Sequence, residues 1–341
     1  MTLKEIAKMA GVSIATVSRV INHGNSNAAS KATQDKIWSI VKETGYTPNQ
    51  NARGLKMGTK ASLPNSIEIA CIFARVDDLE YDPFFIIIMR AIEQEALLHG
   101  YSLRYSFSIT DLLNTSTAKL FSNHSASSIV VLGRFNKKVL SLLSSHYKHI
   151  VYTGLNILPL KVDQIVSNGH GAAMMAVNHL IELGHRKIYY IGERKDEQRY
   201  TGYLEAMSKA GFKESDFCAV DATLSSRGGY QATKNLIENK KEFTALFCAN
   251  DVIAIGAMKA LKEHNIRIPD DVSVIGIDNI DTVQFLTPML TTIHIPLEEL
   301  GKMTAKMLID RIEGGHQLPI KMELPYYLVK RETCSICKRV E

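Results

Sequence analysis

The sequence predicts an α/β protein in which an N-terminal helix-turn-helix segment precedes two doubly wound parallel sheets. Three observations support this fold class. Near the N-terminus, apolar residues recur at three- and four-residue steps, as one face of a helix requires. From residue 67 onward, short apolar runs alternate with helical stretches, which is typical of parallel βαβ units. The 341 residues, 45% of them hydrophobic, are enough for two or three domains.

Two short helices joined by a tight turn are predicted at the N-terminus. Leu3 to Ala10 has the apolar spacing of a helix, and Thr2 offers a hydroxyl to its first turn. Gly11 follows where a helix commonly ends in a left-handed conformation, and Ser13 is expected to cap the second helix. Two helices that cross at a glycine turn describe a helix-turn-helix.

The outward face of the second helix is small and polar and carries one cation. Small side chains allow close approach to the major groove of DNA, where Arg and Asn can hydrogen-bond base edges. An amphipathic helical hairpin without this role is the alternative that the pattern leaves open. The residues of this face are Ile14, Ala15, Ser18, Arg19 and Asn22.

The positive charge of the chain is concentrated in the same region. Residues 1–60 contain nine Lys and Arg against three Asp and Glu, whereas the remainder contains 31 against 32. A basic excess suits phosphate contacts, although a solvated helical segment could carry it by chance.

Cysteine usage and hydropathy indicate a cytoplasmic protein. The five cysteines are scattered and odd in number, and the C-x-x-C pair of Cys334 and Cys337 has no second pair, so we interpret them as incidental thiols rather than a metal site. No apolar run has the length of a transmembrane helix, and no signal peptide is evident.

A third helix is predicted from about residue 31 to residue 44, followed by a short segment of marginal helix propensity. That segment, residues 49–57, has Gly54 in its middle, and isolated helices of this length are unstable in water. It is either a plain linker or a hinge that folds only when two copies pair on DNA, with Leu55 as an apolar wedge in the minor groove.

Two strings in this region carry a specific resemblance. Residues 10–22 read A-G-V-S-x-x-T-V-S-R-V-x-N, and residues 46–58 read Y-x-P-N-x-x-A-R-x-L-x-x-G. They resemble the headpiece and hinge of the lactose/galactose repressor family. The resemblance implies that Ile14, Ala15, Ser18 and Arg19 face the major groove, that Thr2, Thr16 and Asn22 contact phosphates, and that Ala52 and Leu55 enter the minor groove.

The rest of the chain predicts two series of strands with helices between them. The first series is 67–73, 101–107, 128–133 and 149–154; the second is 163–167, 187–192, 217–222, 245–250 and 272–278; late strands follow at 291–295 and 326–331. Two such halves resemble a sugar-binding protein of the periplasmic type, which binds its ligand in the cleft at the carboxyl ends of strands.

The predicted domains follow from this reading. They are a headpiece at 1–48, a hinge helix and linker at 49–66, and an effector-binding and dimerisation core at 67–341. Within the core, an N-subdomain is expected at about 67–158 and 292–322, and a C-subdomain at about 159–291 and 323–341.

Polar groups just past strand ends are the candidates for the cleft. Asn250 and Asp278 each end a strand, Arg199 opens a helix, and the run Asp82-Pro83-Phe84 offers a carboxylate and an aromatic face. Such groups suit a sugar, whose hydroxyls need acceptors and a forked donor. Each also has a structural interpretation, as a helix cap, a surface ion pair or a core residue.

Further strings resemble the same repressor family in the family's order, including R-x-x-G-Y at 199–203, F-C-A-N-D-x-x-A-I-G-A at 247–257 and P-D-D-V-S-V-I-G-I-D at 269–278. The chain departs from the family pattern at Ser167-Asn168 and at Gly154, which leaves the ligand open. The resemblance implies effector contacts at Asp82, Pro83, Phe84, Arg199, Leu224, Asn250 and Asp278. Leu224 stands where the family often has an aromatic residue as a lid over the ligand.

The resulting hypothesis is a DNA-binding regulator of carbohydrate use, most similar to galactose and evolved β-galactosidase repressors. A galactoside effector is expected to control allosterically how a homodimer binds a near-palindromic operator. No cofactor, metal or membrane is expected. The tail lacks leucine heptads, so no tetramerising coiled coil is predicted.

Three alternatives remain, one among regulators and two from other classes. A global catabolite regulator would respond to a phosphorylated carrier protein instead of a sugar. An enzyme with a fused headpiece would need a phosphate loop or a nucleophile elbow, and neither motif is found. A transport receptor would lack the N-terminal headpiece.

Overall fold

The structure is a computed structural model that describes residues 3–14, 16–17, 20, 29–44, 68–74, 82–108 and 126–338. Contacts along the chain divide it into two units, Met1–Ser66 and Ile67–Glu341. The predicted hinge and linker lie outside the described residues, as do the proposed DNA contacts Thr2, Ala15, Ser18, Arg19, Asn22, Ala52 and Leu55.

The first unit contains the predicted helix-turn-helix elements. Helix α1 spans Leu3–Ala10 and α2 spans Lys31–Thr44, and between them Ile14, Thr16, Val17 and Val20 are helical. Gly11 has φ of +72°, and the Ser13 hydroxyl accepts the backbone N–H of Thr16 at 3.1 Å. The predicted glycine turn and serine cap are therefore confirmed.

A small apolar core joins these helices, and its members come from all three helical segments. The apolar spacing predicted which side of each helix faces inward, and the residues on that side are the ones that are buried, because residues three and four apart share a helix face. The exposed face retains Ile14, one of the proposed major-groove residues. The buried residues are Ile6, Ala7, Ala10, Val17, Val20, Ile37 and Ile40.

The second unit contains twelve strands and seven further helices within the described residues. The strands are β1 Glu68–Phe73, β2 Ser102–Ser108, β3 Ser128–Leu132, β4 His149–Gly154, β5 Asp163–Ser167, β6 Ile188–Gly192, β7 Cys218–Asp221, β8 Ala245–Cys248, β9 Ser273–Asp278, β10 Thr291–His294, β11 Lys321–Leu324 and β12 Tyr327–Val329. The helices are α3 Pro83–Leu98, α4 Lys137–Ser144, α5 Gly169–Glu182, α6 Gln198–Lys209, α7 Ser226–Glu238, α8 Asp251–Glu263 and α9 Leu297–Glu313.

These strands form two six-stranded sheets. The first has the order β11-β5-β4-β3-β1-β2 and is parallel throughout; the second has the order β12-β10-β9-β8-β6-β7 and is parallel except for the edge strand β12. Helices α3 and α9 pack on each other, and α9 also packs against the first sheet, whereas α5 and α8 pack against the second. The doubly wound architecture predicted from the alternating pattern is confirmed.

The division of the core differs from the prediction in three places. Strand β5, expected in the second half, pairs in parallel with β4 in the first sheet. Strand β10, expected with the first half, pairs in parallel with β9 in the second sheet. Strand β11 was not predicted and extends the first sheet beside β5. The chain therefore crosses between subdomains after Ser167, between His294 and Leu297, and between Leu324 and Tyr327, because hydrogen-bond register decides sheet membership.

None of the described helices combines the length and the apolar character that crossing a membrane requires.

Candidate effector-binding site

A cavity lies between the two subdomains, next to the carboxyl ends of strands from both sheets, and its empty space is about 390 Å³ when the part open to solvent is included. The first subdomain contributes Asp82, Phe84, Phe85, Arg134 and Tyr152 to its lining, and the second contributes Arg199, Leu224, Asn250 and Asp278.

The cavity brings together six of the seven residues that the sequence placed at effector contacts. Pro83 is the exception and does not line the cavity. It occupies the first position of α3, where its missing N–H and fixed φ suit the start of a helix. Asp82 precedes it and caps the helix by accepting the Phe84 N–H at 3.0 Å.

Two aromatic rings form one wall of the cavity. Phe84 and Phe85 are both buried, and their ring centroids lie 5.0 Å apart at an interplanar angle of 84°. Phe85 also packs edge-on against Phe73 at 6.1 Å. The rings therefore belong to the core of the first subdomain and also present an apolar face to the cavity.

The guanidinium of Arg199 is fixed by neighbours within the second subdomain. Its Nε and Nη2 donate to the two carboxylate oxygens of Glu197 at 2.8 and 3.0 Å, and Nη1 donates to the Ala249 carbonyl at 2.8 Å. These bonds use three of the five N–H groups of an arginine, so two can serve a ligand. Burial lowers the pKa of Arg199, but the charge of Glu197 more than offsets this and leaves that pKa above its usual range.

Asn250 serves both as a helix cap and as a lining residue. Its Oδ1 accepts the Ile253 N–H at 2.9 Å at the start of α8. The cap fixes the amide plane, which leaves the Nδ2 hydrogens as the donors available to a ligand.

Asp278 ends strand β9 in a strained conformation. Its φ is +122° and that of Asn279 is +57°, both in the region that side chains other than glycine rarely adopt. Asp251 stabilises this turn, because its carboxylate accepts hydrogen bonds from the Ile280 N–H at 3.0 Å and from the Thr292 hydroxyl at 2.6 Å. Strain at a ligand cavity is typical of a position that function fixes.

Burial raises the pKa of Asp251 to about 7, although its hydrogen bonds and Arg331 act in the opposite direction. An unfolded aspartate has a pKa of about 3.9. The folded state therefore retains a proton that the unfolded state releases, and the contribution of Asp251 to stability falls as pH rises from about 4 to about 7.

The variant Asp251→Asn is expected to lose this pH dependence. The wild type should lose up to about 1.4 kcal/mol per pH unit more than the variant across that window, because one proton is involved. Denaturant unfolding between pH 5 and pH 8 measures the difference. Parallel stability profiles for the two proteins would contradict the assignment.

The structure shows what surrounds both departures from the family pattern. A Cβ added at Gly154 would lie 2.6 Å from the Tyr152 hydroxyl, so the tyrosine occupies the space that a side chain at Gly154 would need. Asn168 caps α5 by accepting the Gly171 N–H at 2.9 Å, and neither it nor Ser167 lines the cavity.

Sequence reasoning missed a charged group that joins the subdomains beside the cavity. Arg134, which follows β3, pairs with Glu193, donates to the Asp196 carbonyl at 2.7 Å and donates to Glu197 at 3.2 Å. Its position past a strand end was a usable signal.

Among the described residues, no cluster of His, Cys, Asp and Glu is arranged to hold a metal.

Comparison with known proteins assigns the class. The family model for bacterial regulatory proteins of the lacI family matches residues 2–49, and the model for a periplasmic binding protein-like domain matches residues 177–334. The repressor PurR of Haemophilus influenzae is 32% identical over 98% of this chain and 99% of its own length. The molecule is therefore a helix-turn-helix protein with a ligand-binding core.

Two solved structures support the same class. The transcriptional regulator CelR in complex with cellobiose is 26% identical, with a TM-score of 0.71 over 98% of this chain and 99% of that one. A LacI family regulator from Enterococcus faecium with bound ribose is 25% identical, with a TM-score of 0.70 over 80% and 100% of the two chains. The chain belongs to the LacI family and is a DNA-binding transcriptional repressor, not an enzyme.

Proposed function

We propose that the cavity binds a small uncharged sugar, with galactose and galactosides as the first candidates, and that this ligand sets the affinity for operator DNA. The observation that carries the proposal is the pairing of an aromatic wall with fixed polar groups of both kinds. Arg199 and Asn250 offer donors, Asp278 offers acceptors, and Phe84 offers a flat apolar face. A pyranose presents hydroxyls at its rim and C–H groups on its faces, which matches this arrangement.

Two of the similar solved structures favour a sugar without selecting one, whereas the relatives at 30–32% identity are named PurR. CelR is described with cellobiose and the Enterococcus regulator with ribose. The preference for galactose rests on the Asp-Pro-Phe-Phe run and on the block at 225–237, which resemble galactose and evolved β-galactosidase repressors.

On the DNA side, we propose that two copies bind a near-palindromic operator in the cytoplasm. Of the proposed contacts, Ile14 is helical and exposed, and Thr16 lies at the start of the same helix beside Ser13. A ligand that changes the cleft would change the spacing of the two hinges and hence their folding on DNA. The remaining roles are those implied by resemblance: Ala15, Ser18 and Arg19 in the major groove, Thr2 and Asn22 on phosphates, and Ala52 and Leu55 in the minor groove.

A purine base is the second candidate ligand. The 32% identical relative is named PurR, and a planar base could pack against Phe84 and Phe85 as a pyranose could. A purine and a sugar need different hydrogen-bond donors and acceptors from the polar groups, so binding experiments distinguish the two ligands.

Ligand binding to the native state raises the melting temperature by mass action, which provides the test. The panel contains galactose, lactose, cellobiose, ribose, hypoxanthine and guanine, each added to the full chain with and without operator DNA. We expect a melting-temperature shift with a galactoside and a matching change in operator affinity. A shift with a purine alone would replace the sugar proposal, and no shift at all would favour a protein partner of the catabolite-regulator kind.

A further inference from the structure

One buried carboxylate serves both arginines of the cavity. Glu197 is 1% exposed and accepts hydrogen bonds from the guanidinium groups of Arg199 and Arg134. It also accepts the backbone N–H of Arg199 at 3.1 Å, as the cap of α6. Because it does not itself line the cavity, it acts on a ligand through the two arginines and through its charge.

The charge balance around the cavity follows from this arrangement. Four charged residues line it, the cations Arg134 and Arg199 and the acids Asp82 and Asp278. Glu197 adds a third negative charge against the two cations, and Glu193 adds a fourth at Arg134. These six groups therefore carry a net negative formal charge, although two arginines face into the cavity.

A net negative site discriminates against anions. A carboxylate or phosphate on the ligand would approach arginines whose charge is already compensated, while the two aspartates repel it in a region of low dielectric constant. An uncharged ligand of the same shape meets the same hydrogen-bond donors without that repulsion.

We propose that Glu197 is a positioning residue that determines specificity: by compensating Arg199 and Arg134 it makes the cavity select uncharged ligands over their anionic analogues. This inference rests on the proposed sugar ligand for its affinity readout. Glu197 also holds the Arg199 guanidinium by two parallel bonds, which orients the two remaining N–H groups toward the ligand.

The test compares D-galactose with D-galacturonate, which has the same ring and a carboxylate at neutral pH, by calorimetric titration of the full chain. The wild type should bind galactose more tightly. Glu197→Gln retains an oxygen that can accept from Arg199 but removes one buried negative charge. In this variant the affinity for galactose divided by the affinity for galacturonate should fall by about tenfold or more.

Two matched variants separate charge from structure. Glu193→Gln removes a carboxylate that pairs with Arg134. The Glu193 side chain is 31% exposed, so solvent screens its charge, and the ratio of the two affinities should change by less than about threefold. Glu197→Asp keeps the charge and should keep the wild-type ratio even if both affinities fall. Equal weakening of both ligands in Glu197→Gln, or a wild-type protein that binds both equally, would overturn the inference.

A second probe does not depend on the sugar. Sulfate, compared with sodium chloride at equal ionic strength, should raise the melting temperature of Glu197→Gln and leave the wild type unchanged. If the wild type binds neither sugar but the sulfate shift is present in the variant, the sugar proposal fails and the charge role of Glu197 stands. If the shift is absent as well, both fail.

Discussion

Replacing Asp278 with alanine is expected to abolish the response to the effector while operator binding persists. Asp278 is 2% exposed, lies at the end of β9 and faces the cavity beside Arg199. A hydrogen bond to a charged group contributes about 1.5–3 kcal/mol, so losing two carboxylate bonds to ligand hydroxyls should weaken binding by about a hundredfold or more. Titration calorimetry with the effector, and fluorescence anisotropy with operator DNA, measure the two activities separately.

The control for this variant is Asp281→Asn, three residues further along the chain. Asp281 is exposed and does not line the effector cavity, so its loss should leave effector affinity unchanged. Asp278→Asn, which keeps the size and removes the charge, should fall between the wild type and the alanine variant. If Asp278→Ala retained the full effector response, the residue would be removed from the proposed binding site.

The positions of the strands could be predicted from the sequence, but their division between the two sheets could not. The local sequences of strands β5 and β10 are compatible with either sheet, so the local pattern does not tell which neighbours these strands pair with. Strand β11 alternates exposed and half-buried residues at a sheet edge, so it lacks the apolar run that identified the others. Long-range hydrogen-bond register supplies what is missing from the local pattern.

Some residues of the candidate site could likewise be predicted from the sequence, and others could not. Asn250 and Asp278 could be predicted because the ends of parallel strands meet at one edge of a sheet. Glu197 could not, because it lies in the run E-R-K-D-E-Q, which resembles a solvated charged segment. The neighbouring Lys195 and Asp196 are exposed, as such a segment predicts, and only packing against two arginines distinguishes Glu197 from them.

A single methyl group at Gly256 is expected to destabilise the second unit more than any surface substitution. Helices α7 and α8 cross at Gly229 and Gly256, and an added Cβ at Gly256 would lie 1.9 Å from the Ser226 carbonyl oxygen and 2.7 Å from the Tyr230 nitrogen. Both atoms are backbone, so the helices must separate rather than a side chain rotate. Overpacking of this kind costs about 3 kcal/mol.

The loss should be visible as a lower melting temperature for the larger unit, by about 6–12 °C at 2–4 °C per kcal/mol. Lys262→Ala, an exposed position on the same helix, is the matched control and should remain within about 0.5 kcal/mol of the wild type. Because the lining residue Asn250 caps α8, separation of the helices should also weaken effector binding in Gly256→Ala. An unchanged melting temperature would mean that α7 and α8 do not cross in solution as closely as these distances require.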